Sequence, residues 1–570
     1  MTRKILLTAG AIGLAATGTA QAQLYINNYH VLHRTPKPSQ SVAIDQRSPQ
    51  LAAYTTELDA SFLIPFASVR SLHVNVATND LTPLWAMTYI RPGEMFSPPP
   101  YQDSFDLRPH DQHLTMDGGA ILCGTYQNSA AGQVFTSGSF LLKLDPAGGV
   151  QWFRQFRGVE TFNSVIEAPG NAIGGPGYIV CGADDVQFGG PLEGLIVRTD
   201  LNGNVIWTRD VWAVKFGAQG DAEFSQVIPY GVIQNQPTFA LTGYANTRRI
   251  PTTGQLVDSD VLVTMVDLNG NVVFSSAYGQ TQAQFPGGLM GAVEYGTSLV
   301  TMPNGAALPD LFITGGVVGA CVQGCTGTQF EDILAMRIVP GGAVAFASRY
   351  DIQGRADEGV YVRTNATRAT IMADTVTNYR TVPGALSPDV ALLRIDANGG
   401  LWAQTEVFGG ERTDRAAQFY LVDPSRPLHA VMLATTDSFN LPYPIPYLIE
   451  RLPNILKRCQ DDAVQHPRVD WGMPRMDTLW NQHNIPSVPE QLQAVAVNVG
   501  RAVICKKRLV GDMNNDGVVS VSDVGPFVLA MTDPAAYLAM FGVDADLDAA
   551  DINGDGILSV SDIGAFVDLL

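Results

Sequence analysis

The feature that most constrains this chain is a strand–turn–strand unit that recurs through most of its length. It reads FLLKLDPAGGVQW at 140–152, LIVRTDLNGNVIW at 195–207, VLVTMVDLNGNVVF at 261–274, ILAMRIVPGGAVAF at 333–346 and VALLRIDANGGLW at 390–402. A looser copy, SLHVNVATNDLTPLW, occupies 71–85. Asp-x-Asn-Gly between two apolar runs is a hairpin signal, because Asn and Gly tolerate positive φ. The aromatics Trp85, Trp152, Trp207, Phe274, Phe346 and Trp402 then share one structural position, spaced 67, 55, 67, 72 and 56 residues apart. An earlier strand ending in a small residue precedes each hairpin: AILCGTY, YIVCGAD, FALTGYA, LFITGGV, ATIMADT and HAVMLAT. Four short strands with loops fill such a period, and YLIERL at 447–452 begins a seventh closing hairpin. The expected fold is all-β, a β-propeller of six or seven blades.

Composition agrees. The 570 residues include 56 Gly and 35 Pro but only 16% charged residues, which favours short strands and turns over solvated helices. The net charge of −19 argues against a nucleic-acid partner. Segments near 24–60 and 490–508 are expected to close the ring, with QLQAVAVNVGRAVICKK (491–507) as a strand pair.

Residues 1–22 read as a secretory signal peptide. Arg3 and Lys4 precede an apolar run from Ile5 to Ala16, and Ala20-Gln21-Ala22 is a cleavage site, so the mature chain is expected to start at Gln23. No later run reaches membrane-spanning length. The expectation is a protein secreted or held at the cell surface, a setting that permits disulfides. Placement suggests Cys321–Cys325 and Cys459–Cys505 as pairs, with Cys123 and Cys181 as buried free thiols.

The C-terminal 60 residues carry the clearest chemistry. Residues 511–570 hold eleven Asp and no Lys or Arg. Two dodecads, DMNNDGVVSVSD (512–523) and DINGDGILSVSD (551–562), agree at eight positions. Calcium takes six to eight oxygen ligands, which a twelve-residue loop supplies from positions 1, 3, 5, 7, 9 and 12 around a Gly at position 6. The predicted ligands are Asp512, Asn514, Asp516, Val518 (carbonyl), Ser520 and Asp523 in the first loop. In the second they are Asp551, Asn553, Asp555, Ile557 (carbonyl), Ser559 and Asp562. Two Ca2+ sites follow, with Gly517 and Gly556 at the sharp turns. VGPFVLAM (524–531) and IGAFVDLL (563–570) are expected to form short helices that pack Phe527 and Phe566 together. Folding of the tail is expected to require the ions.

On these residues the chain resembles two families. The Asp-rich, Gly-turned, Trp-ended units are similar to secreted bacterial β-propeller repeats over about 70–500. The paired loops, with Asp at position 12 and no helix ahead of the first, resemble a type I dockerin domain. That resemblance implies a small α-helical module with two EF-hand-like loops, binding calcium and docking to cohesin domains, often on polysaccharide-degrading proteins. It places the partner-facing positions at Val521-Ser522 and Val560-Ser561. The expected layout is signal peptide 1–22, propeller with a C-terminal stapled extension 23–505, and dockerin-like domain 509–570.

No catalytic motif is present, and the pairs His30/His33 and His110/His113 read as surface histidines. Acidic residues before or at the first strand of several units (Glu160, Glu223, Glu294, Glu358, Asp414) are expected to make one structural hydrogen bond per repeat. Trp471 and Trp480 are expected to pack on the propeller rim. The favoured function is a non-catalytic binding or scaffold body with a calcium-dependent attachment tail. A cohesin-like or cell-surface protein is the expected partner of the tail, and a glycan or protein that of the propeller. The alternatives are a polysaccharide-degrading glycoside hydrolase carried by a dockerin, and a purely structural surface protein.

Overall fold

The computed structural model describes 29–34, 39–48, 51–59, 70–78, 83–90, 103–130, 133–170, 175–185, 190–215, 218–249, 256–279, 292–318, 331–352, 356–365, 367–377, 387–403, 405–408, 412–421, 430–437, 444–451, 461–464, 468–470, 475–477, 479–481, 487–490, 493–496, 500–505, 511–514, 519–541, 550, 552 and 558–569. The signal segment, Cys321, Cys325, Cys459 and Trp471 lie outside the described residues.

The fold is all-β and propeller-like. Among the described residues the strands form seven antiparallel groups of four, each with a fifth strand added, and one two-stranded ribbon of Val214–Lys215 with Ala218–Gln219. Sheet 1 contains Ser39–Ser48, Leu51–Asp59, Arg70–Thr78 and Pro83–Ile90. Sheet 2 contains Asp103–Leu114, Ala120–Ala130, Gln133–Leu144 and Val150–Arg157. Sheet 3 contains Thr161–Ala168, Gly177–Asp184, Glu193–Asp200 and Val205–Trp212. Sheet 4 contains Asp221–Ile233, Gln236–Arg249, Leu256–Asp267 and Val272–Tyr278. Sheet 5 contains Val293–Met302, Asp310–Val318, Glu331–Ile338 and Val344–Tyr350. Sheet 6 contains Asp357–Asn365, Arg368–Thr377, Ser387–Asp396 and Thr405–Phe408. Sheet 7 takes Asp414–Leu421, Ala430–Thr436 and Ile445–Arg451 from late in the chain and Tyr29–Arg34 from its start. A single parallel bridge, Ser259 to Val293, also joins sheets 4 and 5.

Consecutive sheets pack face to face, and sheet 7 packs back on sheet 1. At that closure Ser41 N donates to Thr435 Oγ1 (2.7 Å) and Ser41 Oγ donates to Ala434 O (2.7 Å). Strand side chains alternate between two neighbours, so each apolar cluster lies between sheets. Ile179, Ile196 and Trp207 of sheet 3 meet Phe224, Leu241 and Leu262 of sheet 4 in one such layer.

The repeat signature has a physical reason. Asp200 Oδ1 accepts the N–H groups of Asn202 (2.8 Å) and Asn204 (2.9 Å), and Asp267 does the same for Asn269 and Asn271 (2.8 Å each). The turns are therefore closed hairpins, with the carboxylate spent on their own backbone. Only the Gly takes positive φ (76° at Gly203, 82° at Gly270), giving a turn with a glycine bulge rather than two left-handed residues. The same glycines leave room for the aromatic of the preceding sheet. A Cβ on Gly203 would lie 2.9 Å from the Trp152 ring, and one on Gly270 2.9 Å from Trp207. Trp152 Nε1 and Trp207 Nε1 donate to the carbonyls of Leu201 (2.9 Å) and Leu268 (3.1 Å) in those turns. Turn and tryptophan are one inter-sheet joint.

A second joint lies on the innermost strands, every one of which bulges at the same place. The shifts fall at Ser41/Ala43, Pro109/Asp111, Phe162/Ser164, Phe224/Gln226, Gly296/Ser298, Gly359/Tyr361 and Ala416/Gln418. A bulge disrupts the ladder locally, and here a backbone N–H just beyond it bonds sideways to the preceding sheet. Val165 N donates to Asp111 Oδ2 (3.2 Å), Val227 N to Ser164 Oγ (3.3 Å) and Leu299 N to Gln226 Oε1 (2.7 Å). Val362 N donates to Ser298 Oγ (3.2 Å) and Ile44 N to Gln418 Oε1 (3.1 Å). Where the position is Tyr361, the ring instead meets Phe419 edge-on at 6.0 Å. Gln226 Oε1 also accepts Ser298 Oγ (2.9 Å). Gln226→Ala should therefore cost about 1–3 kcal/mol by stranding a buried donor, read as a lower urea midpoint. Ser225→Ala on the bulge itself should stay within about 0.5 kcal/mol.

The stretch after Arg451 departs from the sequence expectation of an irregular stapled extension. Its strands Asp461–Val464, Arg468–Asp470, Arg475–Asp477, Leu479–Asn481, Ser487–Glu490, Gln493–Ala496 and Gly500–Cys505 pair with sheets 6, 5, 4, 3, 2, 1 and 7 in turn. The chain thus runs back around the ring as a strap and gives every sheet its fifth strand. Successive strap strands start 7, 7, 4, 8, 6 and 7 residues apart, about 20 Å of extended chain per step on average. The expected strand pair within 491–507 is corrected accordingly. Gln493–Ala496 and Gly500–Cys505 bind different sheets, because each meets the open edge of a fourth strand and not its neighbour. Short edge strands such as these limit edge-to-edge association, and Pro489 is tolerated at an outermost position.

Candidate functional site

The described part of the tail contains a 3-10 turn and three helices. A 3-10 turn, Val521–Asp523, leads into α1 (Val524–Thr532), followed by α2 (Pro534–Phe541) and α3 (Asp562–Leu569). Pro526 falls in the first turn of α1, where its missing N–H costs nothing. Phe527 and Phe566 stack with centroids 4.4 Å apart and rings within 5° of parallel, as the duplicated pattern predicts. Met513, Ala530, Tyr537 and Ala550 complete this small core.

The two loops share one hydrogen-bond plan. Asp523 Oδ1 accepts Met513 N (2.8 Å) and Asn514 N (2.9 Å), while Oδ2 accepts Ser520 N (2.9 Å). Asp562 Oδ1 accepts Ile552 N and Oδ2 accepts Ser559 N, both at 2.9 Å. Position 12 thus clasps the beginning of its loop to position 9. Ser520 and Ser559 each accept a backbone N–H two residues on, from Ser522 (3.3 Å) and Ser561 (3.2 Å). Of the predicted ligands, Asp512, Asn514, Ser520, Asp523, Ser559 and Asp562 are described. Asp516, Val518, Asp551, Asn553, Asp555 and Ile557 lie outside the described residues.

The donor set fits a hard cation. Asp512, Asp523 and Asp562 are fully buried, in a segment with no Lys or Arg. All six described ligand side chains offer oxygen, the donor that calcium prefers.

The acidic residues of the repeats do not share one position, which corrects the expectation of a single bond made once per unit. Counted from the residue after the bulge, Glu160, Glu294 and Asp414 stand four residues before it and Glu223 and Glu358 three before it. The alternation of a strand sends the two classes to opposite sides. Glu294 and Asp414 are fully buried, whereas Glu223 accepts Asn163 Nδ2 (2.5 Å) and Tyr244 Oη (2.6 Å).

Between sheets 5 and 6 the Tyr295 hydroxyl contacts both Glu331 and Glu358, at 2.9 Å for the latter. Burial and the neighbouring Glu331 charge push Glu358 up to about 7. One phenol proton shared by two carboxylates keeps both engaged in a structural bridge. Asp332, Asp351 and Asp357 place carboxylate oxygens within 4.8 Å of one another nearby. Burial raises Asp332 to about 6 and Asp357 to about 8. Arg349 pairs with Asp332 (3.3 Å), and Asp357 accepts Ile352 N and Thr375 Oγ1 (2.5 Å each), so this group anchors the connector between the sheets.

His110 is half-buried rather than freely exposed. Its Nδ1–H donates to Phe162 O (2.9 Å), and burial lowers the pKa of both His110 and His113. Cys123 and Cys181 are buried free thiols, with pKa values raised by burial. Among the described residues no helix is long and apolar enough to cross a membrane.

No family model and no curated protein matches the chain. Among solved structures it is similar to Drosophila Plexin A in complex with Semaphorin 1b, at 9% identity and a TM-score of 0.28, over 76% of this chain and 88% of that one. A likeness at that TM-score bears no weight on function.

Proposed function

We propose that this is an exported protein whose body is a non-catalytic seven-bladed propeller and whose tail, 509–570, is a calcium-folded attachment module of dockerin type. The observation that carries the attachment reading is a pair of matching apolar stripes. In the first copy Val521, Val524 and Val528 are 79%, 40% and 46% exposed; in the second Val560, Ile563 and Val567 are 77%, 41% and 61% exposed. Val524 and Val528 on α1, and Ile563 and Val567 on α3, are four residues apart and so share one face of each helix, while Val521 and Val560 stand in the turn just ahead. Aliphatics left in water at the same spacing in both copies mark a surface meant for a partner. The stripes begin at Val521 and Val560, two of the positions that the dockerin resemblance assigns to cohesin contact. The partner fitting them is a protein with a flat apolar face, of cohesin kind.

The test is retention of the full chain on immobilised cohesin domains, with calcium and with chelator. Because the stripe is duplicated, Val521→Asp or Val560→Asp alone should retain binding through the other copy. The double variant should lose at least 100-fold in affinity. Undiminished binding by the double variant, or binding equal in calcium and in chelator, contradicts the proposal.

A further inference from the structure

A cavity of ≈ 370 Å³ opens beside the inner strand of sheet 2, where the connector Gly158–Glu160 passes to sheet 3. That volume lies at the small end of the range for ligand sites, about 300–1,000 Å³. Polar groups reach it from several segments. Asp106 and Arg108 come from the inner strand, Thr125 and Gln127 from the second, Ser137 from the third, and Glu160 and Asp185 from the two flanking loops. Tyr126 and Val159, both almost fully buried, also line it. Two glycines lie in its wall. Gly158 holds φ +84°, a conformation that excludes most side chains, and a Cβ on Gly138 would lie 2.4 Å from Phe156 O.

The charges decide what fits. Three carboxylates surround a single guanidinium, so phosphates, sulfates and uronic acids are repelled. A polyamine or lysine-like cation would meet Arg108 inside the same space. A neutral ligand with hydroxyls on several sides has no such conflict. It can donate to Asp106, Glu160 and Asp185 and accept from Arg108, Gln127 and Ser137. Burial raises the pKa of Asp106, partly offset by the Arg70 N–H it accepts (3.1 Å) and by Arg108.

We propose that this cavity is a binding site for a neutral saccharide unit, a monosaccharide or the end of an oligosaccharide. The proposal is independent of calcium and of the tail. It predicts that the body alone determines which glycan the protein meets, whatever the tail is fastened to.

The sign of two substitutions separates the ligand classes. Arg108 and Glu160 are both exposed, so Arg108→Ala and Glu160→Ala leave the sheets intact. Titration calorimetry of the full chain would use neutral methyl glycosides and disaccharides, with spermidine and glucuronate as charged probes. The expected result is binding of at least one neutral saccharide, weakened about 5-fold or more by each substitution, since each removes a charge-assisted hydrogen bond. A cation site would instead bind spermidine, tighter in Arg108→Ala and weaker in Glu160→Ala. An anion site would bind glucuronate with the opposite pair of signs. Either pattern, saccharide binding indifferent to both substitutions, or no heat with any probe, overturns the proposal.

Discussion

A chain ending at Arg451 is expected to lose the monodisperse state that a chain ending at Cys505 keeps. The shorter chain retains every repeat, the ring-closing strand Tyr29–Arg34 and all the inter-sheet joints. What it lacks is the strap, and with it the cover on seven sheet edges at once. An uncovered edge presents a row of unpaired N–H and C=O groups that recruit another chain. The expected readouts are higher oligomers on size-exclusion chromatography and a melting temperature lower by about 10 °C or more, taking about 2–4 °C per kcal/mol. Proline at Ala494 or Ala502 should loosen only sheet 1 or sheet 7, because each residue pairs with that sheet alone. The two effects should add, as the sites share no partner. Identical elution and melting of the two truncated chains would show that the strap is passenger rather than lock.

The second large effect concerns the ions. Chelator should unfold the tail of the full chain while sparing the ring, because the eleven aspartates of 511–570 repel one another and only the tail depends on the metal. The loss should appear as reduced helical circular dichroism and as proteolysis confined to residues beyond the strap. Asp523→Ala and Asp562→Ala should each reproduce half of it in saturating calcium. Asp523 also joins three backbone N–H groups across its loop, so its removal breaks both a ligand and the clasp. Equal protease resistance with calcium and with chelator would speak against coupled folding.

Much of this architecture was legible in the sequence, for reasons visible residue by residue. The Asp-x-Asn-Gly turns and their aromatics recur because the turn closes a hairpin and the aromatic, as at Trp152 and Trp207, packs on the turn of the next sheet. A joint built from adjacent residues leaves a local signature. The Phe527–Phe566 stack was legible for the same reason, each ring lying at a fixed distance from its own loop. The strap was not legible. Its strands are three to six residues long and hold by backbone pairing to edges between 53 residues (Phe408 with Asp461) and 475 residues (His30 with Cys505) away in sequence, and backbone pairing asks for no particular side chain. The ring of side-chain to backbone bonds on the inner strands was hidden too. Asp111, Ser164, Gln226, Ser298 and Gln418 share only the capacity to accept a hydrogen bond, so no letter repeats. The cavity of sheet 2 was hidden as well, because it draws on five separate segments.

The most direct test of the central claim, that the duplicated acidic loops are calcium sites around which the tail folds, is calorimetric titration of the full chain with calcium after exhaustive chelation. The account predicts heat corresponding to two ions per chain, falling to one in either Asp523→Ala or Asp562→Ala and to none in the double variant. No heat from the unsubstituted chain, or the same stoichiometry in all four proteins, would contradict it.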